Sequence, residues 1–441
     1  MIYVHVPFCR SFCTYCGFYS EICSRSESQQ VQNRIFGAYT DAIIAEIRSR
    51  LAVTDTVPRT RAIGVIKEDS LSVIGEASRS SGGGDRATLG NVRVGTLQGG
   101  VGEADVFRPH CYREAKDTQP PETLYFGGGT PSVLPLEKMK RIVDALGPAE
   151  YEEFTVEVNP DDIVRKGLEY VRGLTELGVN RVSMGVQSFD DGILRWMNRR
   201  HDTAEALEAF RLLREGGIRN ISIDLIFGLS QLSDSQWRDT FARAVALGPE
   251  HISAYQLSIE EGSALDKLVR NGQYKEADEE KCRSQYDILC QTLADAGYRH
   301  YEVSNWALPG REAVHNSAYW RRVSYIGLGP GAHSFDAESG IRSWNTEELA
   351  SRDSDGHLKR WSSGQETLTE TEAAEETIML ALRTADGLQL EELETLSSVL
   401  GHDSALIDSL LADGLLKREG DNVRIPENRF FVSDDIISRL I

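Results

Sequence analysis

A chain of 441 residues exceeds one ordinary hydrophobic core and predicts two or three domains, although a barrel absorbs more than about 200 residues by itself. Its 40% hydrophobic and 26% charged content is that of a soluble globular protein, and 48 basic against 68 acidic residues leave a net charge of -20. That balance argues against nucleic acid, whose binders present a basic face, and against recruitment to anionic membrane by bulk charge. No run of eighteen apolar residues predicts a membrane span. The first cysteines follow Met1 so closely that no removable leader is expected, and seven cysteines without a disulfide pattern suit a reducing, cytoplasmic setting.

The first twenty residues carry the strongest signal. Ile2 to Val6 alternates like a strand and runs into Cys9, Cys13 and Cys16, a C-x3-C-x2-C array within IYVHVPFCRSFCTYCGFYS. Three thiolates within eight positions face one centre only if the backbone wraps around it, and soft sulfur donors select iron–sulfur clusters, zinc or copper. A structural zinc site wants four ligands, often as two C-x2-C pairs, and Cys23, Cys111, Cys282 and Cys290 supply no second pair. A four-iron cluster held by only three cysteines leaves one iron open to the nitrogen and oxygen of a small molecule. The plain alternative is a set of reduced thiols on a loop after a strand.

With Tyr15 just before the third cysteine, the array resembles the radical S-adenosylmethionine (SAM) enzymes. YVHVPFC resembles their oxygen-independent coproporphyrinogen III oxidase branch, in which the heme chaperones are the nearer match. The resemblance implies a [4Fe-4S] cluster on Cys9, Cys13 and Cys16, its open iron chelated by the amino and carboxylate groups of SAM, with Tyr15 beside the adenine. It implies an electron donor for the cluster and, once the sulfonium is reduced, a 5'-deoxyadenosyl radical.

Along the chain, Ile35 to Leu51 has apolar residues at helical spacing and predicts a first helix over the opening strand. From 52 to 119 the pattern breaks down into Gly- and Ser-rich stretches such as SRSSGGGDR, an insertion relative to the family. It reads as a flexible loop, with a small β-rich lid as the alternative; His110 and Cys111 near its end form only an isolated pair. Strands are then predicted at TLYFGGGTPS, FTVEVNP, NRVSMGVQSF, IRNISIDLIFGL and HISAYQLSIE, separated by helical patterns at LEKMKRIVDAL, GLEYVRGLTELG, AEALEAFRLLREGG and SQWRDTFARAVALG. With the opening strand these make six βα repeats. The expected fold is α/β: a partial (β/α)6 TIM-like barrel over residues 1–300, with ligand groups at the C-terminal ends of its strands, and a separate α+β, winged-helix-like region over 301–441.

Polar residues that end apolar strands point to a polar cavity. The Gly127 to Pro131 turn admits close backbone approach, and Glu157, Gln187 and Asp224 stand where aliphatic residues are expected. Arg199 is read as beginning a helix and able to pair with a carboxylate bidentately. The resemblance assigns Tyr3, Gly128, Gly129, Thr130, Glu157 and Ser258 to SAM, and Gln187, Arg199 and Asp224 to a second SAM. The alternative for Asp224 and Arg199 is a structural ion pair lining the barrel.

Beyond the barrel, KCRSQYDILCQTLADAGY is an amphipathic helix with Cys282 and Cys290 as packing residues, and YRHYEVSNWA reads as a strand entering the separate region. In the following segment His315, Asn316, Tyr319 and Trp320 match the HNxxYW pattern that the heme chaperones use toward heme, since His ligates iron and Tyr or Trp stacks on porphyrin. The alternative is a polar cluster in which His315 is merely hydrogen-bonded. LGPGAHS, with His333, suggests another close backbone approach. Helices near ETIMLALRTADG, LEELETLSSVLG and SALIDSLLADG and a hairpin through Gly420 and Asp421 resemble a winged helix without a basic recognition helix.

The implied function is a heme chaperone that binds heme, a [4Fe-4S] cluster and SAM, and transfers heme to an acceptor protein. The alternatives are an oxidase converting coproporphyrinogen III to protoporphyrinogen IX, and a purely structural cluster protein. Phe18 stands where the oxidase has a fourth cysteine, and with the strand beginning at Ile2 no arm like the oxidase's is expected before it, which favours the chaperone. No nucleic-acid partner is expected, and a homodimer is among the options for assembly.

Overall fold

Period-two alternation sets the architecture. In β1 (Ile2–Val6), β2 (Thr123–Gly128), β3 (Glu153–Val158), β4 (Arg181–Gln187), β5 (Asn220–Phe227) and β6 (His251–Gln256), alternate residues are mostly apolar and buried. These include Val4, Phe126, Val156, Met184, Ile223 and Ile252, which join one core. The intervening residues are largely polar, among them Tyr3, Tyr125, Glu157, Ser183, Asp224 and Ser253. A strand that turns one face to covering helices and the other to a polar interior reads this way. The six strands pair in parallel in chain order. The computed structural model describes residues 1–17, 19–23, 28–51, 121–349 and 361–441. The predicted insertion, His110, Cys111 and Phe18 lie outside the described residues.

Helices fill the crossovers. α1 (Gln29–Arg50) starts six residues earlier than its apolar periodicity predicts, because the Ser28 side chain accepts from the Val31 N–H and caps it. It buries Ile43 and Ile47, and Tyr39 donates to the His5 carbonyl of β1 at 2.7 Å. α2 (Leu136–Leu146), α3 (Pro160–Glu176), α4 (Asp191–Trp196), α5 (Thr203–Glu215) and α6 (Asp234–Leu247) follow their strands. The short α4 and α7 (Ala264–Arg270) have too few turns for periodicity to reveal them. α8 (Glu279–Asp295) is the amphipathic helix, with Cys282 buried.

YRHYEVSNWA differs from its prediction. It is a hairpin of β7 (Arg299–Glu302) and β8 (Asn305–Ala307), and β8 pairs antiparallel with β6. After α9 (Val314–Trp320), β9 (Ile326–Leu328) pairs in parallel with β1. The nine-stranded sheet therefore runs β9-β1-β2-β3-β4-β5-β6-β8-β7, and residues past 300 cap both edges of the six-strand unit. Capping hides edge backbone groups that would otherwise invite pairing. The LGPGA turn serves the same edge: a Cβ on Gly329 would meet the His5 carbonyl oxygen at 2.7 Å, and the Gly329 N–H donates to Glu46 on α1.

A three-stranded antiparallel sheet follows, of β10 (His333–Asp336), β11 (Ile341–Asn345) and β12 (Ser363–Thr367). Then come α10 (Glu370–Leu382), α11 (Leu390–Val399) and α12 (Ser404–Ala412), with a small sheet of Leu388–Gln389, Asn422–Arg424 and Lys417–Glu419. This is the expected winged-helix-like arrangement, its hairpin turning at Gly420 with φ +64°. Among the described residues no helix is long and apolar enough to cross a membrane.

Candidate cluster and cofactor site

The cysteine loop leaves β1 and closes on itself. Phe8–Cys9 pairs in parallel with Glu21–Ile22, the Glu21 N–H donates to the Pro7 carbonyl at 2.6 Å, and the Cys23 N–H donates to the Cys9 carbonyl at 2.8 Å. The loop is pinned over the C-terminal ends of the strands by residues after β4 and β6. The Thr14 N–H and Oγ1 donate to the Met197 and Trp196 carbonyls at 3.0 and 2.8 Å, Asn198 donates to the Phe12 carbonyl at 2.7 Å, and the Leu265 N–H donates to the Thr14 carbonyl at 2.8 Å.

Beneath the loop a chain of polar contacts joins two of the three sulfurs. Cys9 Sγ lies 3.4 Å from Thr130 Oγ1, which accepts from Asn159 Nδ2 at 3.2 Å; Asn159 Oδ1 accepts from Arg199 Nη2 at 2.6 Å; and Arg199 Nη1 donates to Cys13 Sγ at 3.3 Å. Arg199 Nη2 also donates to the Gly185 carbonyl at 2.6 Å. Burial opposes the charge on Arg199, but Cys13 and Tyr15 outweigh it and raise its pKa. Burial likewise pushes the Cys9 thiol up, against the hydrogen bond from Thr130. Fixed cations beside thiols favour the thiolate that a metal needs.

This arrangement corrects two expectations. Arg199 lies between α4 and α5 rather than at a helix start. It does not pair with Asp224, whose carboxylate accepts from Ser183 at 3.1 and 3.3 Å. Asn159 and Gly185 were not singled out from sequence, though the strand alternation and the VEVNP strand end contain them. Gln187 sits at a bulge of β4 with φ +68°, and a Cβ on Gly185 would lie 2.8 Å from its Nε2 and 3.2 Å from Arg199 Nη2. Backbone in this region is costly for a side-chain-bearing residue and concentrates at functional sites.

The glycine turn seats the loop. A Cβ on Gly129 would meet the Phe8 backbone at 2.9 Å, one on Gly128 the His5 ring at 2.6 Å, and one on Gly127 the side chains of Tyr125, Glu157 and Tyr3 within 3.0 Å. Inside the barrel Tyr3 and Tyr125 rings are 6.0 Å apart, Tyr125 donates to Glu157 at 2.8 Å, and Tyr3 Oη is 3.1 Å from His5 Nδ1. Burial pushes Glu157 up to about 7; the Tyr125 hydroxyl and the Gly128 N–H oppose this, while Asp224 adds to it. Asp224 is raised by burial as well. Ser258 stands apart from these, donating to Glu260 at 2.7 Å, and the Glu260 methylenes lie against Gly17 beside Cys16.

His315 lies at the other end of the strands, where β2 and β3 begin. Its Nδ1 is 2.7 Å from Thr123 Oγ1 and its Nε2 is 2.8 Å from Tyr319 Oη; its ring stacks on Tyr125 at 5.0 Å. Glu153 accepts from the Val314 and His315 N–H groups at 2.8 and 3.2 Å. Burial lowers the His315 pKa to about 3. Both ring nitrogens are engaged, which is the hydrogen-bonded alternative for this residue. Asn316 and Trp320 are half-buried on the same helix.

Among the described residues no three His, Cys, Asp or Glu side chains are gathered round one point as a single metal ion requires. A cubane differs, because each thiolate takes its own iron. Three cysteines on a closed loop, one bonded to a buried guanidinium and one joined to it through Thr130 and Asn159, suit such a cluster by donor type. Tyr15 packs on the core in range of Cys13, Cys16 and Arg199.

Comparisons agree with this class. The radical SAM superfamily profile matches residues 111–244 and the HemN C-terminal domain profile matches 368–431. The Escherichia coli radical SAM enzyme coproporphyrinogen III oxidase (HemN) superposes with a TM-score of 0.70 at 19% identity, covering 100% of this chain and 89% of that one, so the fold is that of radical SAM proteins. Heme chaperone HemW of Lactococcus lactis is 30% identical over 332 residues, 72% of this chain and 84% of the relative. That of Synechocystis is 36% identical over 245 residues, 54% of this chain and 59% of the relative. Mouse radical S-adenosyl methionine domain-containing protein 1, mitochondrial, is 32% identical over 340 residues, 73% of this chain and 75% of the relative. The chain belongs to the HemW heme chaperone family of radical SAM proteins.

Proposed function

We propose that this chain binds heme and hands it to an acceptor protein, with a [4Fe-4S] cluster on Cys9, Cys13 and Cys16 and SAM over the cysteine loop. The observation that carries the cofactor part is the polar chain Cys9–Thr130–Asn159–Arg199–Cys13, which ties two sulfurs to three strand ends. The names of the relatives support the heme part. When bound, the cluster supplies a one-electron reductant at the SAM sulfonium. Tyr3, Tyr15, the Gly128 to Thr130 turn and Glu157 orient SAM, with Ser258 at the rim. Arg199 holds the loop; Gln187 and Asp224 face the interior where a second SAM would lie.

The oxidase is the second reading, favoured by the HemN fold. Against it, Phe18 stands where the oxidase has a fourth cysteine. The cellular setting proposed is the cytoplasm, with an electron donor and a heme acceptor as partners and no nucleic acid.

Anaerobically reconstituted protein with coproporphyrinogen III, SAM and a reductant tests the choice. The expected result is no protoporphyrinogen, together with hemin binding and transfer to an apo-hemoprotein. Efficient decarboxylation would overturn the chaperone reading.

A further inference from the structure

Beside the cysteine loop, cations outnumber carboxylates. Arg10, next to Cys9, donates to the Cys23 carbonyl at 3.5 Å and to Gln32 Oε1 at 3.4 Å. Arg200 pairs with Asp161 at 2.6 Å and with Asp162 at 3.3 Å, and Arg165 pairs with Asp162 at 2.5 Å. Lys166 donates to the Ser132 and Leu134 carbonyls at 2.5 and 3.2 Å. Arg10 lies in electrostatic range of Asp162, Arg165 and Arg200, and Lys166 in range of Arg10 and Arg165. Four cations thus share three carboxylates, Asp161, Asp162 and Glu137, the last acting on Lys166.

The layering decides what solvent meets. The Asp161 and Asp162 side chains are 6% and 0% exposed, whereas Arg200 is 17% and Arg165 38% exposed. The carboxylates lie underneath and the Arg165 guanidinium faces out, while Lys166 is turned onto the Ser132 and Leu134 carbonyls. On α5 the balance is reversed: Arg211 meets both Glu208 and Glu215. On a chain of net charge -20, this rim is a local attractor for anions. Two positions after Arg10 on the same loop, Phe12 is 51% exposed, an aromatic surface open to solvent.

We propose that the Arg10–Arg165–Lys166–Arg200 rim binds the two propionate carboxylates of heme, with Phe12 against the macrocycle. This rests on the heme-binding reading above. A positive surplus carried on planar guanidinium forks in one small patch matches the carboxylates on one edge of a flat molecule better than it matches the broad field of an acidic protein.

The test titrates hemin and hemin dimethyl ester into cluster-loaded wild type, Arg165→Glu and Arg165→Lys, following the Soret band. Expected are roughly tenfold weaker binding of the ester by wild type, roughly tenfold weaker binding of hemin by Arg165→Glu with ester affinity unchanged, and near wild-type behaviour of Arg165→Lys. Unaltered cluster spectra verify that the variants are folded. Equal affinity for hemin and its ester, or equal weakening of both in Arg165→Glu, would overturn the rim proposal while leaving heme binding in place. Loss of affinity only for an acidic partner protein would overturn it too, giving the rim to protein docking. Wild type that binds neither porphyrin would overturn the heme-binding reading itself.

Discussion

Arg199 reaches Cys13 across 186 positions of sequence and donates to its sulfur at 3.3 Å while the same guanidinium holds Asn159 at 2.6 Å. One planar fork therefore fixes Cys13 relative to the ends of β3 and β4, which a flexible ammonium cannot reproduce. Arg199→Lys should retain the fold but lose cluster. We expect iron and sulfide content after anaerobic reconstitution to fall by half or more, with the thermal midpoint of the apo-protein lowered by the equivalent of about 1–3 kcal/mol for unsatisfied Asn159 and Gly185 acceptors. Undiminished iron content would remove Arg199 from the site.

Glu157 gives a pH signature. Its folded pKa of about 7 stands above the ordinary 4.5 because of burial first. Between those values the folded protein holds a proton that the unfolded chain has released, so stability declines as pH rises through the window and is flat above it. The decline amounts to about 3 kcal/mol at most. Glu157→Gln is neutral at every pH and should lack it. Unfolding midpoints of apo-protein at pH 5 and pH 8 measure the difference: wild type should lose more than the variant on going to pH 8, and identical shifts would refute the buried acid.

The fold was readable because its signals are local. Alternation in TLYF, FTVEV and ISIDLIF marks strands, and the cysteine spacing marks the loop after the first one. What stayed hidden was pairing at long range. Nothing in MNRRHD says that Arg199 meets a thiol rather than Asp224, and nothing in YRHYEVSNWA says that a turn at Val303 and Ser304 folds it back onto β6. HNxxYW was visible as a pattern, but the partners that decide its role, Thr123 and Glu153, lie on strands far upstream. Asn159 was overlooked because a polar residue before proline reads as an ordinary helix cap, yet its amide bridges Thr130 and Arg199.

His315 is 1% exposed with both nitrogens engaged, so we expect it to act in folding. His315→Ala should destabilise by about 2–4 kcal/mol through a cavity and two stranded hydroxyls. Its folded pKa of about 3 lies below the ordinary 6.5, so the unfolded chain binds the extra proton between those values. Its contribution is complete above pH 6.5 and is lost as pH falls toward 3. Tyr319→Phe separates this role from iron ligation by freeing Nε2. An unchanged hemin spectrum is expected, and a new low-spin signature would make His315 a ligand.

Gln187 combines a side chain with φ +68° at the bulge of β4, beside Arg199 and Gly185. Glycine is ordinarily less stable than alanine inside a strand by roughly 0.5–1 kcal/mol, since it loses more backbone freedom on folding. In the left-handed region the order reverses, because the steric penalty on alanine exceeds that entropy. Gln187→Gly and Gln187→Ala delete the same amide, so their difference isolates the backbone. We expect Gln187→Gly to be the more stable by about 1 kcal/mol in chemical unfolding of the apo-protein. Both should weaken SAM binding to the same extent if the amide serves the ligand. The opposite stability order would mean that the bulge relaxes on substitution, and unequal SAM affinities would mean that the backbone conformation, not the amide, shapes the pocket.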